Sequence, residues 1–243
     1  MTDFSKVKFH PSQLGKLWVE PQSKAAKEAG ELSQTSKTYL IELYAQIKYG
    51  RKQELDNKYV KKGISQEQNS LLLLSEVLGQ FFEKNEETFE NEYLIGTPDT
   101  FDEDGETVID VKSSYSIFSY LSNLDGKLDS SYELQLQAYM LLTNRNYAKL
   151  AYCLVDNSTE EIEWQKQLLM KKTNAISEES PEFKKEWDKK RLLYEFQDIA
   201  EQERVLLFKL EKDPEFASKC QQKVERARMY LQELERKHLL FNK

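Results

Sequence analysis

The stretch from Asp99 to Lys112, DTFDEDGETVIDVK, constrains this chain more than any other. Asp104-Gly105 is a two-residue turn signal, and an apolar-polar alternation follows it. With that pair as the turn, Glu103 faces Glu106, Phe101 faces Val108 and Asp99 faces Asp110. Directly opposed residues share a side of a sheet, with Cβ atoms about 5 Å apart. Period-two alternation adds Lys112 to the side that carries Asp110 and leaves Ile109 and Val111 as a buried face. Two like charges held opposite each other destabilise a hairpin unless something compensates them. A divalent cation is the simplest compensation. Asp99 and Asp110 offer it hard oxygen ligands, and the backbone carbonyl of Val111, between Asp110 and Lys112, offers another. A lysine beside such a cation suits a reaction that activates water next to a phosphate. Gly96-Thr97-Pro98 sets a tight approach to Asp99, which a purely solvent-facing hairpin would not need.

Around this hairpin the chain alternates helical and strand signals. Residues 11–50 read as helices broken near Pro21 and Gly30, with Ser33 or Thr35 as a cap. A further helix is expected after Gly63-Ile64-Ser65, with Ser65 as N-cap and Leu71, Leu72, Leu74, Val77 and Leu78 among its apolar positions. Strands are expected over 88–95, 99–103 and 106–113, a short helix over 115–121, a helix over 132–142 and a buried strand over 150–156. From Ser158, with Glu161 three residues on, the pattern turns helical and highly charged. It continues over 181–210, and a last long helix runs from Pro214 to near Phe241. These elements predict a mixed α/β core over residues 1–157 and a helical region over 158–243 packed on it.

Composition removes several classes. The formal charge of −7 over 243 residues argues against a protein that coats nucleic acid with bulk positive charge. A local basic rim remains open, and Arg51, Lys52, Lys58, Lys61 and Lys62 are its candidates. No run reaches the roughly 18 apolar residues that span a membrane, and the start MTDFSKVKFHPSQL has no apolar export signal. Two cysteines, Cys153 and Cys220, are too few for a disulfide scaffold or an iron–sulfur cluster. Cys153 lies in an apolar run and reads as a core thiol, so a reducing cytoplasm is the expected compartment. His10 and His238 lack partners at metal-motif spacing, and no phosphate-binding glycine loop occurs.

Pro98-Asp99 followed by Ile109-Asp110-Val111-Lys112 resembles the motif of the PD-(D/E)xK nuclease superfamily. The resemblance is specifically to phage-type exonucleases related to lambda exonuclease, YqaJ and RecB nuclease domains. Gly63-Ile-Ser-Gln-Glu67 is similar to the upstream helix motif whose glutamate joins the metal shell. Gln135-Leu-Gln137-Ala-Tyr139 is similar to the family's glutamine–tyrosine helix beside the active site. Pro11-Ser-Gln-Leu-Gly15 and Tyr59-Val-Lys-Lys-Gly63 resemble further segments of phage members, and the likeness covers residues 8–157. Gln135 and Tyr139, four apart, share a helix face.

The resemblance implies an α/β, restriction-endonuclease-like core: a mixed central sheet flanked by helices, with a helical C-terminal extension. It implies Glu67, Asp99, Asp110, Lys112, Gln135 and Tyr139 as catalytic residues, and Glu67, Asp99, Asp110 and Val111 as metal ligands. Gln135 would face the metal-bound water or the phosphate, while Gln137 points elsewhere, to DNA or neighbouring strands. The implied cofactor is Mg2+, with Mn2+ able to substitute. The implied partners are double-stranded DNA with a free end, a second copy of the chain, and a single-strand annealing or single-strand-binding protein, with no membrane. The expected activity is metal-dependent exonucleolytic hydrolysis in phage recombination or replication. An endonuclease with the same site, and a non-catalytic protein retaining the fold, are the competing expectations.

Overall fold

The computed structural model describes residues 2–52 and 58–241. A 3-10 turn, Pro11–Gln13, leads into α1 (Leu14–Trp18), followed by α2 (Lys24–Glu28), α3 (Gln34–Tyr49) and α4 (Lys58–Leu78). Next come β1 (Phe89–Glu90), β2 (Ile95–Gly96), β3 (Thr100–Phe101) and β4 (Thr107–Ser113). Helices α5 (Ile117–Leu121) and α6 (Ser130–Thr143) connect β4 to β5 (Tyr147–Cys153). Then follow α7 (Thr159–Thr173), α8 (Pro181–Lys190), β6 (Val205–Glu211) and α9 (Phe216–Phe241). The central sheet has the order β3-β4-β5-β6. Its β4–β5 pair is parallel and the other two pairs are antiparallel. A parallel pair needs a long crossover, and α5 and α6 supply it.

The sheet is covered on both faces, so both faces of β4 and β5 carry apolar side chains. On one face Ile109, Val111, Ala151, Cys153 and Val155 pack with Leu71, Leu73, Leu74 of α4 and Phe82. On the other, Val108, Ala148, Leu150, Tyr152 and Leu154 pack with Leu136, Tyr139 and Met140 of α6. A further core joins Leu14, Leu17, Tyr39, Leu40 and Tyr44 of the N-terminal helices to Cys220, Val224, Ala227 and Leu231 of α9. Cys153 is the core thiol its apolar run predicts, with burial raising its pKa to about 12.

The hairpin register is the expected one where the strands pair: Thr100 opposes Ile109 and Phe101 opposes Val108. Its turn is wider than two residues. Asp102 N donates to Thr107 O, and Asp104 Oδ1 accepts from the amides of Glu106 and Thr107. That side-chain turn satisfies the backbone that a Glu103–Glu106 pair would have used. The 88–95 segment is also a departure, since β1 and β2 form a separate two-stranded ribbon.

Three other expectations change. Ser65 is interior to α4, not its cap, because the helix already runs at Lys58. Residues 205–210, expected to be helical, belong to the edge strand β6. Leu206, Phe208 and Leu210 pack toward the α6 layer and Val205 and Leu207 toward the α4 layer, so VLLFKLE suits a strand half-buried on both faces. Lys62 is buried rather than part of a solvated rim: its Nζ donates to Val155 O and Asn157 Oδ1, both at 2.6 Å. The Lys58 side chain lies outside the described residues.

Candidate active site

Asp99 stands immediately before β3, opposite Asp110 in the extended register. Because β3 starts only at Thr100, the Val111 amide on that side of β4 lacks a strand acceptor. Asp99 Oδ2 supplies it at 2.7 Å. The segment before Asp99 is pressed against the body. A Cβ on Gly96 would lie 2.7 Å from Pro11 Cδ and 3.2 Å from the Tyr139 ring, so only glycine fits there. Tyr139 Oη donates to Thr97 O at 3.2 Å, which pins the next residue.

Asp110 is 1% exposed. One carboxylate oxygen, Oδ1, accepts from Gln135 Nε2 at 2.8 Å. The other, Oδ2, lies 2.5 Å from Lys112 Nζ, an ion-pair contact whose angles do not make a hydrogen bond, so Oδ2 has no aligned donor. Gln135 also donates to Tyr139 Oη at 3.3 Å. One helical turn of α6 therefore steadies both halves of the motif, Gln135 holding Asp110 and Tyr139 holding the approach to Asp99. Gln137 faces away, joining Glu211 O and Asp213 N at the end of β6.

The electrostatics follow from burial. Desolvation, then the charge of Asp110, raises Asp99 to about 7, although Lys112 and the Val111 amide pull the other way. Burial alone would lower Lys112, but Asp110 and Asp99 outweigh it and hold its pKa above the ordinary lysine value. Lys112 is thus an ammonium at neutral pH, with its Nζ 5.3 Å from the Tyr132 ring centroid.

These groups open onto a cleft of about 620 Å³ whose walls include Glu67, Asp99, Val111, Lys112, Gln135 and Tyr132. Glu67 reaches it from α4, on the opposite face of the sheet from α6, and its Oε2 is 3.0 Å from Lys84 Nζ. Among the described residues no group of three or more His, Cys, Asp and Glu side chains comes together as a metal-holding set. Asp99, Asp110, Val111, Lys112 and Gln135 are brought together, Tyr139 stands behind them, and Glu67 is held at the rim. Lys84 and Tyr132 escaped the sequence reading. Neither belongs to a motif; the chain's path brings Tyr132 to the cleft and Lys84 to Glu67 on its wall.

Neither a family model nor a curated protein matches this chain. Among solved structures it is similar to a phage-related exonuclease from Haemophilus somnus 129PT, with 26% identity and a TM-score of 0.70 over 96% of this chain and 97% of that one. It also shares its fold with an alkaline exonuclease from Laribacter hongkongensis, at 12% identity and TM-score 0.63 over 98% and 96% of the two chains. A complex of the latter enzyme with dAMP matches at 13% identity and TM-score 0.62, over 96% and 94%. The likeness spans nearly the whole length of each chain compared.

Proposed function

We propose that this chain is a divalent-cation-dependent DNA exonuclease of the PD-(D/E)xK superfamily. The observation that carries the reading is the placing of Asp99 and Lys112 on one cleft, with the buried Asp110 paired to Lys112 and opposed to Asp99. The full-length likeness to a phage-related exonuclease supports it.

The residues suit a cation. Asp110 Oδ2 meets the Lys112 ammonium at 2.5 Å, and one ammonium leaves two facing carboxylates short of positive charge. The opposed carboxylate, Asp99, is raised to about 7. Asp99, Asp110 and the Val111 carbonyl would hold Mg2+ or Mn2+, with Glu67 at the rim; all are hard oxygen donors. Such an ion, when bound, supplies charge neutralisation at the phosphoryl oxygens and lowers the pKa of a water.

The chain's own groups account for the rest. Lys112, kept charged by the two aspartates, faces the negative charge that grows on a phosphodiester as water adds to phosphorus and the ester oxygen leaves. An ammonium held in this way supplies electrostatic stabilisation. Gln135 fixes the orientation of Asp110, so the carboxylate does not have to reorganise during the reaction. Tyr139 fixes the segment that carries Asp99.

The test is digestion of end-labelled linear duplex DNA and covalently closed circular DNA with Mg2+, with Mn2+ and with EDTA. The linear duplex should be degraded from its ends in either metal and survive in EDTA, while closed circles persist. With a formal charge of −7, duplex contact must come from local basic groups, so activity should fall steeply with salt. Rapid cutting of closed circles would instead assign an endonuclease, and no cleavage under any condition would leave a binding protein on the same fold.

A further inference from the structure

Lys84 lies in the segment between α4 and β1, outside every motif, yet its position is built. Three hydrogen bonds bracket it against the strand that delivers Asp99. Thr100 Oγ1 donates to Glu83 O at 2.7 Å, Asn85 N donates to Asp99 O at 2.7 Å, and Asn85 Nδ2 donates to Pro98 O at 2.9 Å. The backbone on both sides of Lys84 is therefore tied to residues 98–100. From there its ammonium reaches the Glu67 carboxylate at 3.0 Å and also feels the charge of Asp99. Glu67 belongs to α4, and its side chain is only about a quarter exposed.

We propose that Lys84 is a positioning residue that occupies the place of a divalent cation as counter-charge to Glu67, so that cation binding must displace Lys84 from that carboxylate. The proposal rests on the nuclease reading of the cleft. Its physical basis is charge balance. Glu67, Asp99 and Asp110 line or lie beside one cleft against two ammonium groups, Lys84 and Lys112. Lys112 is committed to the aspartate side, leaving Lys84 for Glu67. A cation bound by the aspartates brings two positive charges to the same rim, and like charges cannot both keep Glu67 as partner without cost. Displacement would free the Lys84 ammonium for a backbone phosphate of the bound strand, so cation loading and substrate grip would share one carboxylate.

The experiment is calorimetric titration of Mn2+ into the full-length metal-free protein, a readout independent of cleavage. Lys84 is half-exposed, so Lys84→Gln is expected to fold, and circular dichroism checks it. If Lys84 competes for Glu67, K84Q should tighten Mn2+ binding by about two- to fivefold, the worth of a partly exposed ion pair. Lys84→Arg should restore wild-type affinity. The gain should vanish in a Glu67→Gln background, because the interaction removed is the one with Glu67. A K84Q affinity equal to or weaker than wild type overturns the proposal, as does a gain that persists in E67Q. Asp110→Asn separates the two levels of inference. Mn2+ binding that survives D110N sinks the reading of the cleft, and the Lys84 proposal with it. Loss in D110N with no change in K84Q overturns the role of Lys84 alone.

Discussion

Asp99 gives the sharpest quantitative test of the site. Burial and the facing Asp110 raise it from the ordinary 3.8 to about 7. Between those values the folded protein keeps a proton on Asp99 that the unfolded chain has released. Stability therefore falls as pH rises through this window. The penalty is absent below 3.8 and complete above about 7. At 1.36 kcal/mol per pH unit the gap corresponds to about 4 kcal/mol, a large part of the 5–15 kcal/mol that typically holds a domain together. Asp99→Asn removes the titration while leaving an oxygen to accept from the Val111 amide. Urea unfolding in EDTA, followed by far-ultraviolet circular dichroism at several pH values, measures the effect. The stability of D99N relative to wild type should rise between about pH 4 and about pH 7 and then level off. Saturating Mn2+ at neutral pH should recover stability in the wild type, by about 2.7 kcal/mol at one hundred times its Kd, but not in D99N. Parallel pH profiles of the two proteins would refute the claim that burial and the facing Asp110 hold a proton on Asp99.

Other outcomes follow from the same structure. Lys112→Ala should lower cleavage of linear DNA by about 10²–10³-fold with an unchanged circular dichroism spectrum, measured in single-turnover assays with Mg2+. Burial lowers Lys62 to about 7, so the unfolded chain binds more protons than the fold between about 7 and the ordinary 10.5, and stability from this group rises with pH across that range. Lys62→Met should flatten that slope in urea midpoints taken across the range. Gly96→Ala should cost about 1–3 kcal/mol in urea unfolding, because the new methyl meets the rigid ring of Pro11 and the Tyr139 ring.

The sequence by itself determined the motif at the centre of the candidate site. Period-two alternation and the turn signal put Asp99 opposite Asp110 and Lys112 on the same side, because strand pairing is a local rule that fourteen consecutive residues can satisfy. The i,i+4 spacing put Gln135 and Tyr139 on one face of a helix, and α6 uses that face. Helix caps at Ser33 and Ser158 were equally legible, since each is decided within one turn of chain. What only the tertiary structure decided depends on distant partners. VLLFKLE carries no local mark separating a strand from a buried helix, and it became β6 because β5 offered an open edge between two apolar layers. Lys62 looked like one of a run of surface cations until α4 turned it into the carbonyls beyond β5. Glu67 was readable as a carboxylate on a helix. Its salt bridge to Lys84 arose because a loop stitched to residues 98–100 brings the lysine to α4. Charge balance in a cleft is a sum over every element that lines it, and no single stretch of sequence contains that sum.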